Sequence, residues 1–145
     1  MALNHNIQLA TQLRTQITRL VKKLRKESAT GQRLSLTERS TLALLYQHKE
    51  LLPSELASME KITNQSMSQI VNHLLELGLI NRLPSTTDKR KVIISLTGEG
   101  ERTLEQVRSE RDEWLARAIS ENCTSEEVEL LKRATGLLTK LVDFE

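Results

Sequence analysis

The chain has 145 residues, of which 38% are hydrophobic and 28% charged, with a formal net charge of +2. These values suit a folded, mostly helical protein and exclude a disordered one. No apolar run approaches the ~18 residues of a membrane span, and the polar N-terminus lacks a signal-peptide core. A lone cysteine, Cys123, cannot form an internal disulfide, so we expect a cytoplasmic protein with no membrane contact.

Apolar residues Ile7, Ala10, Leu13, Ile17, Leu20, Val21 and Leu24 recur every three or four positions. That spacing predicts a first helix running to about Ser28, short of Gly31. Ser35-Leu36-Thr37-Glu38 is a capping-box pattern, in which hydroxyl and carboxylate satisfy each other's backbone N–H groups. It opens a second helix with Leu42, Leu45 and Tyr46 inward. Pro53 suits the first turn of a short third helix over residues 53–59, where a missing N–H costs nothing. Thr63 caps a fourth helix with Met67, Ile70, Val71, Leu74 and Leu77 inward. Gly78 ends it, because glycine adopts left-handed backbone geometry at little cost.

The pattern then changes. Residues 79–83 and 92–96 are short, apolar or β-branched, and the polar stretch 84–91 lies between them, which predicts a hairpin with a long loop. Gly98 and Gly100 mark the exit from strand to helix. Thr97 caps a long fifth helix, with Glu99 and Glu101 near its positive end and a stripe of Leu104, Val107, Arg111, Trp114, Leu115, Ala118 and Ile119. A second capping box, Thr124 to Glu127, opens a final helix with two apolar stripes. One is Val128, Leu131, Leu138 and Val142, and the other is Leu130, Ala134, Leu137 and Leu141. The expected fold class is mainly α with a small β-hairpin wing (α+β), a winged helix-turn-helix with a helical dimerisation region. Residues 31–97 are expected to form the winged helix-turn-helix lobe, and residues 1–30 and 98–145 the helical dimerisation region.

Charge is unevenly distributed. Residues 1–98 hold 14 basic against 7 acidic residues, and residues 99–145 hold 7 against 12. Such a split suits one part that meets a polyanion and another with a different task. The outer face of the fourth helix carries Asn64, Gln65, Ser68, Gln69 and Asn72, with no charge before Glu76. Amides and hydroxyls both donate and accept, the chemistry that reads base edges in a major groove. In the hairpin loop, Lys89, Arg90 and Lys91 are consecutive and Arg82 stands at the base. An arginine at a loop tip can enter a narrow minor groove, and Asp88 is placed to orient Arg90 by a forked hydrogen bond. A basic cluster on the first helix (Arg19, Lys22, Lys23, Arg25 and Lys26) has two readings, contact with the DNA backbone or complement to the helix dipole.

The sequence resembles the MarR family of bacterial regulators over essentially its whole length. The carrying residues are Leu52-Pro53-Ser54-Glu55-Leu56-Ala57, Leu77-Gly78-Leu79-Ile80-Asn81-Arg82, Asp88-Lys89-Arg90, and Ile94-Ser95-Leu96-Thr97-Gly98-Glu99-Gly100. The resemblance implies that the first, fifth and sixth helices form the dimer interface. It also implies that the fourth helix lies in the major groove and Arg90 reaches the minor groove. The implied DNA-binding set is Ser54, Thr63, Asn64, Gln65, Ser66, Ser68, Gln69, Asn72, Arg82, Asp88, Lys89, Arg90 and Lys91. Family members often carry basic residues where this chain has Gln69 and His73, so binding leans on the wing or the operator is unusual. The reactive N-terminal cysteine of the family's peroxide sensors is missing, and Cys123 is expected to be a small buried thiol.

His5, His48 and His73 show no metal-ligand spacing and are expected to be ordinary surface or boundary residues. No cofactor, metal or catalytic residue is expected, because no Gly-rich loop follows a strand and no nucleophile occupies an elbow. A winged helix that binds protein would carry exposed apolar anchors on the fourth helix, and none is seen. The expected partners are double-stranded DNA, a second copy and a small-molecule effector of unknown identity. The last helix is apolar over more surface than one neighbour can cover, which favours an isologous homodimer on a pseudo-palindromic operator; a repressor is the expected role, although no residue distinguishes repression from activation.

Overall fold

The computed structural model describes residues 2–145. Its helices are α1 (Ala2–Glu27), α2 (Leu36–His48), α3 (Pro53–Glu60), α4 (Asn64–Glu76), α5 (Gly98–Asn122) and α6 (Ser125–Val142). The strands are β1 (Glu50–Leu51), β2 (Ile80–Pro84) and β3 (Val92–Leu96), and a 3₁₀ turn occupies Gly31–Arg33. The three strands form one antiparallel sheet in the order β1-β3-β2. Ile80 stands opposite Leu96, Arg82 opposite Ile94, and Pro84 opposite Val92, while Leu51 of β1 also pairs with Ile94. β2 is an edge strand, so Pro84 can end it without breaking a central ladder. The mainly α architecture with a hairpin wing is therefore present, with one strand more than a hairpin.

Both capping boxes form. Glu38 N–H donates to Ser35 Oγ (3.0 Å) and Ser35 N–H donates to Glu38 Oε1 (2.8 Å). Thr124 and Glu127 repeat the exchange at 2.8 and 3.2 Å. At α3 the cap is carried by Glu55, whose Oε1 accepts from Leu52 N–H at 2.9 Å.

The core lies inside the winged-helix lobe. Leu42, Leu45, Leu56, Met67, Leu74 and Ile94 are fully buried, and Leu104 and Val107 of α5 close it from one side. Burying one such side chain is worth roughly 1.5–3 kcal/mol. Helix spacing predicts most of these positions. Two expectations fail: Tyr46 and Leu77, expected inward, are exposed. Tyr46 lies instead between Lys49 and Arg108, whose cations stand 5.0 and 5.4 Å from its ring centroid, contacts favourable to an aromatic face. Leu77 is the C-cap, where the chain already turns away from the core.

The joint between the lobe and α5 explains two glycines. Gly78 has φ of +75°, and the bonds Leu79 N–H to Leu74 carbonyl and Gly78 N–H to Leu75 carbonyl, both 3.0 Å, form a Schellman motif. Thr97 N–H then donates to the Leu79 carbonyl (3.1 Å) and Thr97 Oγ1 donates to the Gly78 carbonyl (2.7 Å). Gly100 N–H donates to Thr97 Oγ1 at 3.0 Å. A Cβ at Gly100 would come within 2.1 Å of the Leu79 carbonyl oxygen, a backbone atom that cannot rotate away. Gly100→Ala is expected to destabilise the protein by roughly 2–3 kcal/mol, read as a lower denaturant midpoint; an unchanged midpoint would contradict this close approach.

Candidate nucleic-acid interface

The turn between α3 and α4 runs through Lys61, which adopts left-handed geometry (φ 56°, ψ 43°). Thr63 then caps α4, its Oγ1 accepting from Ser66 N–H and donating to Ser66 Oγ, both at 3.0 Å. The two hydroxyls thus hold the helix start. Met67, Val71 and Leu74 are buried and Ile70 is half-buried. This fixes the opposite face outward, where Asn64, Gln65, Ser66, Ser68, Gln69 and Asn72 are all exposed. The spacing of three and four that buries one stripe is the cause of the other stripe's exposure. Ser54, in the first turn of α3, is exposed as well. Arg82 of β2 meets α4 in a small groove it lines with Pro53, Ser68, Val71 and Asn72.

The wing turn is organised by Ser85, which is buried although it lies in a polar loop. Its N–H donates to the Lys91 carbonyl (2.9 Å), while its Oγ accepts from Thr87 and Asp88 N–H at 3.2 and 3.3 Å. Lys91 N–H returns to the Asp88 carbonyl at 3.0 Å. No sequence signal distinguishes Ser85 from its neighbours Thr86 and Thr87.

Asp88 does hold Arg90, but not by a fork. One oxygen, Oδ1, accepts both from Arg90 backbone N–H (3.1 Å) and from Nε (3.3 Å). A two-residue separation lets the carboxylate reach the near nitrogen of the guanidinium, and the far nitrogens stay free. The Arg90 side chain is 92% exposed. Lys89 and Lys91 are exposed and, among the described residues, take part in no ion pair. The wing therefore offers three cations whose charge is little neutralised within the chain.

One histidine departs from expectation. His73, in the last turn of α4, is not an ordinary boundary residue: its Nδ1 bonds Glu38 Oε2. A carboxylate only accepts, so Nδ1 carries the proton. Glu38 is buried and links the start of α2 to the end of α4. The capping box marks Glu38 in the sequence, but its second partner lies 35 residues away. The other histidines, His5 and His48, are exposed, and no metal-binding cluster of His, Cys, Asp or Glu occurs among the described residues. Cys123, expected to be buried, is half-buried.

A cavity of about 390 Å³ opens where the lobe meets the helical region, with Thr30, Arg33, Leu34, Leu77, Glu99 and Gln106 in its wall. No helix of the described residues is long and apolar enough to cross a membrane.

Comparison with known proteins agrees with this geometry. The family model described as MarR family matches residues 34–92, from just before α2 to the first residue of β3. An uncharacterized HTH-type transcriptional regulator of Mycobacterium bovis is 30% identical, over 97% of both chains. A crystal structure of a Pseudomonas aeruginosa protein assigned to the transcriptional regulators is 34% identical, with a TM-score of 0.83 and coverage of 98% and 99%. A mutant MarR from E. coli, complexed with operator DNA, shares the fold at 22% identity and a TM-score of 0.66, covering 95% and 96%. The chain belongs to the MarR family: it is a winged-helix, DNA-binding transcriptional regulator.

The Glu38 carboxyl carries a pH signature. Burial raises its pKa, but hydrogen bonds from Ser35 N–H and His73, with the charge of His73, outweigh burial and leave it below the usual 4.5. A carboxyl lowered on folding stabilises the protein above its unfolded value, and that stability is lost as pH falls through the folded value. The stability gap between wild type and Glu38→Gln is therefore expected to shrink below about pH 4.5 in denaturant titrations; a gap independent of pH would show that Glu38 is not held this way.

Proposed function

We propose that the protein is a homodimeric repressor that binds a pseudo-palindromic operator through α4 and the wing and responds to a small-molecule effector. The observation that carries the DNA part is the pairing of an amide face on α4 with exposed cations at Lys89, Arg90 and Lys91, of which only Arg90 is paired, through Nε to Asp88. Asn and Gln side chains can pair with adenine edges, and Ser54, Thr63, Ser66, Ser68 and Arg82 flank them with hydroxyls and a cation for phosphates. Asp88 restrains Arg90 at the wing tip, so less freedom is lost when it enters a minor groove. The fold shared with an operator-bound MarR supports the same docking, with half-sites about one helical turn, or 10 bp, apart.

The dimer reading rests on α1 and α6. No described residue of either helix is buried within the chain. Leu130, Leu137 and Leu141 of α6 are 58–61% exposed, and Ile7 and Ile17 of α1 are exposed as well. Contiguous apolar faces of this kind mark an interface, and twofold symmetry would present two copies of α4 to two half-sites. The domain division is 1–30 with 98–145 for dimerisation and 31–97 for DNA. The effector reading rests on the cavity at their junction, whose volume suits a small molecule. Occupation of a promoter by such a dimer represses transcription by excluding other proteins, which places the work in the cytoplasm.

Binding-site selection followed by titration tests this reading. Arg90→Ala is expected to weaken operator binding without changing the thermal midpoint, and to lower the log–log salt slope by about 0.9; equal affinity would remove the wing from the interface. Gln65→Ala is expected to relax preference at one base position by about 1–3 kcal/mol, and an unaltered selected sequence would exclude base reading by Gln65.

A further inference from the structure

Arg39, on the first turns of α2, is only 6% exposed. Its Nε and Nη2 are buried and have no hydrogen-bond partner among the described residues. The guanidinium lies beside Gly31, where an added Cβ would stand 3.2 Å from Nη1 and 2.9 Å from Ser28 Oγ. Arg111 of α5 and Arg25 of α1 add charge of the same sign around it. Glu110, the acidic residue next along α5, is already engaged. Its Oε2 accepts from Ser28 Oγ (2.7 Å), and its Oε1 accepts from Thr30 Oγ1 (2.8 Å) and Gln106 Nε2 (3.3 Å).

A guanidinium cannot shed its proton inside a protein, and a buried charge is costly unless an opposite charge meets it. The two unpartnered nitrogens of Arg39, in surroundings that Arg25 and Arg111 make more positive, form a site for a negative group. Arg25 and Arg111 are half-buried, and Arg111 Nε donates to the Val107 carbonyl at 3.3 Å. Arg39 is not in the wall of the cavity between the lobe and the helical region, but Glu110 joins the two places by bonding Ser28, beside Arg39, and Thr30 and Gln106 of that wall.

We propose that Arg39, with Arg25 and Arg111, forms an oxyanion-receiving site that is closed by a carboxylate-type group from outside the protomer. Two sources offer this chemistry. One is an acidic side chain of a second copy, which rests on the dimer reading above and fits the surplus of 12 acidic over 7 basic residues in 99–145. The other is a small free oxyanion.

Melting of the full chain, without DNA and with chloride exchanged for sulfate at constant ionic strength, separates these sources when paired with sedimentation equilibrium. If the group is free, sulfate raises the wild-type midpoint saturably, by roughly 4 °C at tenfold excess over its Kd. Arg39→Met then keeps only the general salt effect. If a second copy supplies the group, the saturable response is absent and Arg39→Met weakens dimerisation at least tenfold. Should wild type prove monomeric, the dimer reading fails and the sulfate titration alone decides. Should Arg39→Met not fold, the double variant Arg25→Gln/Arg111→Gln carries the same comparison. The proposal is overturned if the variant matches wild type both in sulfate response and in self-association.

Discussion

Two neighbouring carbonyls, those of Gly78 and Leu79, receive the chain again at Thr97, and the working geometry of the protein depends on that meeting. Leu79 accepts the Thr97 N–H, and Gly78 accepts the Thr97 hydroxyl, which in turn accepts the Gly100 N–H. The end of α4 and the start of α5 are thereby tied through one threonine, with no room for a side chain at Gly100. Because α5 carries the long helical region and α4 carries the amide face, this joint fixes how one is held relative to the other. A Schellman turn at Gly78 on one side and a Thr cap on the other leave few unpaired backbone groups at the crossing.

The exposed amide face of α4 follows from that frame by exclusion. Once Met67, Val71 and Leu74 take their places in the core, the remaining face of α4 has to point outward. Glu38 and His73 add a polar tie on the far side of α4, holding its last turn to the start of α2. The wing uses a different device. Its residues are too polar to be fixed by a core, so the buried Ser85 hydroxyl gathers the N–H groups of Thr87 and Asp88 and closes the turn. Asp88 then restrains Arg90 through one oxygen and leaves the outer guanidinium nitrogens available.

The helical region is built on the opposite principle. Apart from Leu104 and Val107 of α5, its side chains stay out of the core, and α1 and α6 keep their apolar faces outward. Arg39 is buried with two nitrogens unpartnered, and on the reading proposed above its charge and those faces are both met from outside the chain. Apolar area and one unmatched guanidinium are complementary in an interface: the first drives association without direction, and the second gives it geometry.

Local patterns alone determined the helices, their caps, the hairpin and the identity of the amide face. Each of these is set by neighbours within about four residues, through periodicity, capping hydroxyls or glycine's freedom at positive φ. The Asp88-Lys89-Arg90 and Leu-Thr-Gly-Glu-Gly stretches were legible for the same reason, since their chemistry and spacing lie within one loop and one helix start. What the tertiary structure decided is what distant segments do to each other. β1 is two residues long and exists only because β3 lies alongside to accept it. Tyr46 is exposed, where its ring meets the cations of Lys49 and of Arg108, a residue 62 positions away that no helical periodicity could supply. Glu38 finds His73, and Glu110 finds Ser28 and Thr30, across separations that no local pattern encodes. The Thr97–Gly100 signature shows both sides: its residues announce a cap, but only the folded chain shows the Leu79 carbonyl that makes a side chain at Gly100 impossible.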